Sequence, residues 1–281
     1  MNILLVAAVL PALVLLYYVY SKDKIEKEPL NLIVRLFVCG IVAGPLAAIV
    51  ENIAFSLFEA ALPPGTTILL ICEYFIGVAC VEEGFKYFFL NRMRYNPAFN
   101  YVFDAVVYSV AVSLGFAALE NIFYVFDGGL EVAAVRAIFS VPGHAADGVI
   151  MGCFYGLARK EESLGNKEKS KRLYVLAFLL PVIEHGFYDA ALSANNDLLA
   201  AFSMLFQLAF IVFAMVLVNR LSKDDKPLYQ RAFNQAIQQP QGTVQNAQHQ
   251  QQHGQPVQNY TQYSPQQQQG SQSQRQYPSQ R

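Results

Sequence analysis

Apolar stretches of about 20 residues recur seven times in this chain, at residues 2–20, 30–50, 66–90, 101–126, 132–158, 173–192 and 198–221. Each is long enough, at ~1.5 Å of helical rise per residue, to cross a hydrocarbon core of ~30 Å. The pattern confines the chain to one fold class: an all-α, polytopic bundle of transmembrane helices, with about seven spans and eight as the upper count. Composition agrees, with 54% hydrophobic residues, 15% charged residues and a mean hydropathy of +0.28; soluble domains carry about 25% charged residues. A net charge of −1, without a basic patch or an aromatic-interleaved basic stripe, excludes a nucleic-acid partner. The lipid bilayer is the partner that composition implies.

The second span has an uncertain outer end, because Glu51, Asn52 and Glu59 interrupt it and Pro63-Pro64-Gly65 closes any extension through Leu62. Lysine and arginine cluster after spans one, three, five and seven, whereas the loops at 51–65, 127–131 and 193–197 are acidic or neutral. Arg136 is the one basic residue near an outer end. By the positive-inside rule the amino terminus is outside and the carboxyl terminus cytoplasmic, in a multi-pass protein of the cell membrane. The first span has no basic segment before it and no small-residue cleavage site, which suits an uncleaved anchor. Three regions follow: an anchor span and loop at 1–29, a transmembrane core at 30–222, and a glutamine-dominated tail at 223–281. The tail cannot bury enough apolar surface to order itself, and its His249 and His253 read as tail composition.

Against this background, ionisable residues inside the spans need a reason, since an intramembrane charge costs roughly 2.5–3.5 kcal/mol even on insertion scales. Span three holds Glu82, Glu83 and Lys86; the lysine is four and three residues from the acids and can pair with either. In span four Phe116 and Glu120 share a face, with Asn121 beside the carboxylate. In span six His185 and Asp189 are four apart, so the aspartate can fix the imidazole tautomer. In span five His144 and Asp147 are three apart on a helix whose Gly148, Gly152 and Gly156 make a packing stripe. Counted from the flanking charged residues, Glu83 lies roughly 14 Å up, His185 roughly 20 Å, His144 roughly 23 Å and Glu120 roughly 24 Å. They form one band, while Glu73 and Asp104 lie nearer opposite surfaces and read as interfacial or packing residues.

Four motifs, Glu82-Glu83-x-x-Lys86, Phe116-x-x-x-Glu120-Asn121, the span-five His144 and His185-Gly-x-x-Asp189, occur in this order. Together they resemble the PrsW-type intramembrane proteases, relatives of the CAAX endopeptidase and bacteriocin-immunity superfamily. The resemblance covers roughly residues 30–221. The wider superfamily often has an arginine after its paired glutamates and a histidine where Glu120 stands, so the departures point to the PrsW branch and away from prenylated substrates.

The resemblance implies hydrolysis of peptide bonds in membrane-protein substrates, single-span proteins such as an anti-sigma factor in some relatives. It makes Glu82 or Glu83 the general base, with His144 and His185 polarising the scissile carbonyl or stabilising the oxyanion, and Asn121 able to donate to it. Lys86 would hold the glutamate pair, Asp189 would orient His185, and Glu120 would complete the network. Glu83, His144 and His185 could also hold Zn²⁺ with an open water position, although no His-Glu-x-x-His motif is present and a pure glutamate mechanism uses the same residues.

Cys39, Cys72, Cys80 and Cys153 all fall within spans and read as buried apolar residues. The competing class is a non-enzymatic membrane protein, a proton-coupled transporter or a signalling scaffold, since carboxylates and histidines also build proton relays. A transporter would more often show internal repeats, and none is found.

Overall fold

The computed structural model describes residues 3–228. The Gln-rich tail, with His249 and His253, therefore lies outside the described residues from 229 onward. Eight α-helices follow in order: α1 Ile3–Lys22, α2 Leu30–Ala61, α3 Thr67–Ile71, α4 Cys80–Asn91, α5 Asp104–Ile138, α6 Ser140–Ser163, α7 Lys167–Ser193 and α8 Asp197–Lys223. A π-helical stretch, Cys72–Ala79, joins α3 to α4 without a break. Five helical stretches among the described residues are long and apolar enough to cross a membrane: Ile3–Lys22, Leu30–Ala61, Asp104–Ser163, Lys167–Ser193 and Asp197–Lys223. The chain is a multi-pass membrane protein of the all-helical class.

Local chemistry sets the helix ends. α2 runs unbroken to Ala61, and the Asn52 amide and Ser56 hydroxyl satisfy their own donors within it, on the carbonyls of Ala48 and Asn52. It stops where Leu62 turns extended, as a residue before proline must. The Thr66 hydroxyl then caps α3 by accepting from the Leu69 N–H. The apolar run expected as one span over 132–158 is broken. The chain leaves helical geometry at Gly129 (φ 74°, ψ −160°), resumes, and bends again at Phe139 before α6 begins. The first break coincides with the loop expected at 127–131, but hydropathy could not reveal the second, because residues 132–138 are as apolar as the helix that follows. The consequence is that Arg136, near the end of α5, folds back over the wall that Glu120 helps to build.

The core centres on α5 and α6. Every residue of α5 from Asp104 to Ala118 is buried, the signature of a helix surrounded by others. It packs against α1, α2 and α6. The glycine stripe on α6 is the means of close approach: a Cβ on Gly152 would sit 2.5 Å from the Ala105 carbonyl oxygen on α5. On the other side of α5, a Cβ on Gly115 would overlap the Phe37 carbonyl on α2. The outward faces of α1, α2 and α8 expose Val14, Val38, Val212 and Phe213, as lipid-facing surfaces do. Cys39, Cys72, Cys80 and Cys153 are free thiols.

Past α8, residues 224–228 return to the start of α5. The Val102 N–H donates to the Lys226 carbonyl at 3.1 Å and the Leu228 N–H to the Asn100 carbonyl at 2.8 Å. The Phe103 N–H donates to Asp225 Oδ1 at 2.9 Å, and the Ser163 hydroxyl donates to the Leu228 carbonyl. Leu228 is itself fully buried.

Close helix packing gives a stability test. Gly115→Ala should cost about 1–3 kcal/mol, the usual penalty of overpacking a tight contact. Gly84→Ala, where an added Cβ meets only the Phe178 ring at 3.9 Å, should be close to neutral. Unfolding in mixed detergent micelles compares the two; equal effects would mean the α2–α5 contact is not tight.

Candidate active site

The π-helical stretch sets the position of the first motif. Its wider turn is seen where the Cys80 N–H reaches back five residues to the Phe75 carbonyl; such turns recur at functional sites. It aims Tyr74 and Val78 into a cavity and presses Phe75 against α7. Gly186 makes the approach feasible: a Cβ there would lie 2.6 Å from the Phe75 ring. The glycine after His185 is therefore a packing requirement, and it fixes His185 against α4.

Lys86 is the hub. Its ammonium is 0% exposed and donates to Glu83 Oε1 at 2.7 Å and to Glu82 Oε2 at 3.3 Å. It lies 3.2 Å from His144 Nδ1 on α6, and 4.4 Å from the centre of the Phe116 ring on α5. A buried ammonium in an apolar bundle persists only when fully paired, and here two carboxylates, an imidazole nitrogen and an aromatic face all take part.

Each imidazole is held from behind by a carboxylate. His144 Nε2 meets Glu120 Oε2 at 2.9 Å, which leaves Nδ1 to accept from Lys86. His185 Nε2 meets Asp189 Oδ2 at 3.1 Å, and its Nδ1 faces Glu83 Oε1 at 3.0 Å. Both inner nitrogens thus point to the region around Glu83 Oε1 and the lysine. Glu82, Glu83, His144 and His185 each offer one ligand atom, all within 4.8 Å of one another. Two imidazoles backed by carboxylates, with two further carboxylates, are a donor set suited to a Zn²⁺-type ion. The Lys86 ammonium is the positive charge already among those donors.

The cluster forms one wall of a cavity of about 890 Å³ between α2, the π-helical stretch, α5, α6, α7 and α8. Glu82, His144 and His185 line it, whereas Glu83 is 0% exposed behind them. Buried oxygens around the cavity lack a donor at Glu51 Oε1 and Gln207 Oε1, while the Asp147 and Glu184 carboxyls come within hydrogen-bonding reach of each other. Glu83 Oε2 is also unpaired.

Seven of the eight residues picked out from the sequence meet at this cavity or directly behind it, in contact rather than spread over the 10 Å that helix counting gave. Asn121 is elsewhere. Its Nδ2 donates to the Ala8 carbonyl of α1 at 2.7 Å and its Oδ1 accepts from Arg136 Nε at 2.7 Å. Sequence reasoning missed Arg136, which donates to Glu120 Oε2 at 2.8 Å; its signal was being the one basic residue out of place in the loop pattern. It also missed Glu184, beside His185, and Gln207 on α8. Gln207 carried no periodic or spacing signal at all.

Comparison with known proteins gives consistent results. The family model described as PrsW family intramembrane metalloprotease matches residues 28–218. The Protease PrsW of Oceanobacillus iheyensis is 38% identical over 195 residues, covering 69% of this chain and 85% of that protein. Those of Geobacillus kaustophilus and Bacillus subtilis are 38% and 35% identical over 195 and 208 residues, covering 69% and 74% of this chain and 81% and 88% of theirs. No solved structure matches the chain.

The hub predicts a specific pattern of stability. Lys86→Met leaves Glu82 and Glu83 buried without their cation and should cost about 3–5 kcal/mol. Adding Glu83→Gln should restore part of that loss. Chemical unfolding of the single and double variants checks this, and a double variant no more stable than the single one would refute the charge-pairing account.

Proposed function

Because the chain belongs to the PrsW family of intramembrane metalloproteases, we propose that its wet cavity hydrolyses a peptide bond of a membrane-protein segment. The observation that carries this reading is the meeting of Glu82, His144 and His185 on one face of the cavity, each braced by a further charged group. Glu82 serves as general base, since it reaches the cavity while Glu83 does not. Glu83 and Lys86 hold Glu82 and His185 in place. His144 and His185 polarise the scissile carbonyl and meet the charge that develops on its oxygen. Glu120 and Asp189 keep both rings oriented, and Arg136 fixes Glu120.

Glu83, His144 and His185 would hold the metal of a metallo-type enzyme, with Glu82 beside them as the base. A bound Zn²⁺ supplies Lewis-acid polarisation and acidifies water. The unpaired oxygens of Glu51 and Gln207 suit the backbone N–H groups of a substrate strand that has left its helix, whose amides would otherwise have no acceptor in lipid. The substrate is a single-span membrane protein, such as an anti-sigma factor, selected by how readily its helix unwinds.

The topology that serves this reading has seven crossings. Residues 67–91 supply one through the π-helical stretch, and Asp104–Ser163, broken at Gly129 and Phe139, supplies two. The lysine and arginine distribution puts the amino terminus outside and the carboxyl terminus inside the cell membrane.

The test is cleavage of single-span substrates in proteoliposomes by wild type, Glu82→Gln and His185→Ala, with and without a zinc chelator. Both variants should insert and fold yet lose at least about 10²-fold in rate, the usual contribution of a positioned base. Chelation that stops the wild type, with recovery on adding Zn²⁺, identifies a metal enzyme; indifference to chelation identifies glutamate-activated water. Undiminished cleavage by Glu82→Gln would overturn the assignment of the base.

A further inference from the structure

A second cluster of buried acids lies apart from the cavity, where the α1–α2 linker meets the first turn of α5. Asp23, Glu28 and Asp104 are 2%, 3% and 0% exposed. One oxygen of each is held by a protein donor. Asp23 Oδ2 accepts from the Glu28 N–H at 3.3 Å, Glu28 Oε2 from the Tyr108 hydroxyl at 2.6 Å, and Asp104 Oδ2 from the N–H groups of Asn100 and Tyr101 at 2.9 and 2.7 Å. These bonds set each carboxylate in place and leave its second oxygen available.

A second observation points to a ligand. Asp104 Oδ1 is buried and accepts no hydrogen bond, and Asn100 on the same turn also leaves its Oδ1 buried without a donor. The Glu28 and Asp104 carboxyls come within hydrogen-bonding reach of each other, which repels two anions unless a proton or a cation lies between them. No lysine or arginine among the described residues forms an ion pair with any of the three. Burial accordingly pushes Asp23 up to about 6 and Glu28 up to about 7. Three ligand atoms, one from each residue, lie within 4.8 Å of one another. A single ion with oxygen ligands at about 2.1–2.6 Å can reach all three.

We infer that Asp23, Glu28 and Asp104 form a site for a hard divalent cation of the Mg²⁺ or Ca²⁺ kind, which clips the α1–α2 linker to the first turn of α5. All donors are oxygens, so a soft or imidazole-seeking ion is not favoured there. The site is distinct from the histidine-bearing cluster in its ligands and in the helices it joins. An ion that binds the folded chain and not the unfolded one raises stability with its concentration.

The probe is Mn²⁺, counted by the loss of its free-ion EPR signal on addition to the full-length chain stripped with EDTA. A His144→Ala/His185→Ala background removes the imidazole donors of the other cluster. The expected result is about one Mn²⁺ per chain in that background, displaced by Mg²⁺ or Ca²⁺. The ion should raise Tm, and affinity should fall at least about tenfold in Glu28→Gln and in Asp104→Asn, since affinity follows the count of charged ligands. Because these variants also remove carboxylate repulsion, each should be at least as stable as the ion-free wild type, so loss of binding is separable from misfolding. No Mn²⁺ uptake in that background, or uptake that the two variants leave unchanged, would overturn the inference. A wild-type Tm that falls between pH 6 and 8 and ignores all three ions would overturn it too, and would show that the cluster holds a shared proton.

Discussion

The placement of one ammonium group in a lipid-surrounded bundle governs the arrangement of everything near it. Lys86 is withdrawn entirely from solvent, and a lone cation so placed is costly. The bundle answers with partners from three helices: Glu82 and Glu83 from α4 itself, Phe116 from α5 and His144 from α6. α7 joins through His185, which reaches Glu83. Four helices are thus fixed in mutual rotation by groups that cannot be left unpaired. This rigidity suits the proposed hydrolytic centre, whose carboxylate and two imidazoles would have to keep their positions while charge moves among them.

Much of this was legible in the sequence, because the rules are simple in lipid. Seven apolar runs pointed to the all-helical membrane class, and polar residues inside them picked out the candidate site, since little else justifies a charge at that depth. Helical spacing correctly paired Lys86 with both glutamates and His185 with Asp189. What failed were features set by tertiary geometry. The break at Gly129 falls in the loop expected at 127–131, but the one at Phe139 lies within apolar sequence, so hydropathy runs straight through it. Arg136 enters the site only because the chain doubles back there. Asn121, adjacent to Glu120, is rotated about 100° from it on an α-helix and so faces α1.

The two acid clusters solve the same electrostatic problem differently. The one at α4 carries its own cation in the sequence, three residues after Glu83, where helix geometry guarantees the contact. The one at the head of α5 gathers its acids from a linker and a helix start, and among the described residues no lysine or arginine forms an ion pair with them. Tyr108 and the backbone of residues 100–101 offset part of that charge by donation. Both clusters abut α5, whose close contact with α6 depends on Gly152 and its neighbours.

The return of residues 224–228 to the head of α5 sets where mechanical load would enter the molecule. Hydrogen bonds from Val102, Phe103 and Leu228, with the Ser163 contact, fasten this stretch beside the first turn of α5. A pull on the chain beyond Leu228 would therefore load residues 100–103 and Ser163 at the end of α6 as well as α8. Residues 100–103 lead directly into α5, the helix that carries Phe116 and Glu120, so the anchor of the carboxyl-terminal stretch and one wall of the cavity belong to a single rod.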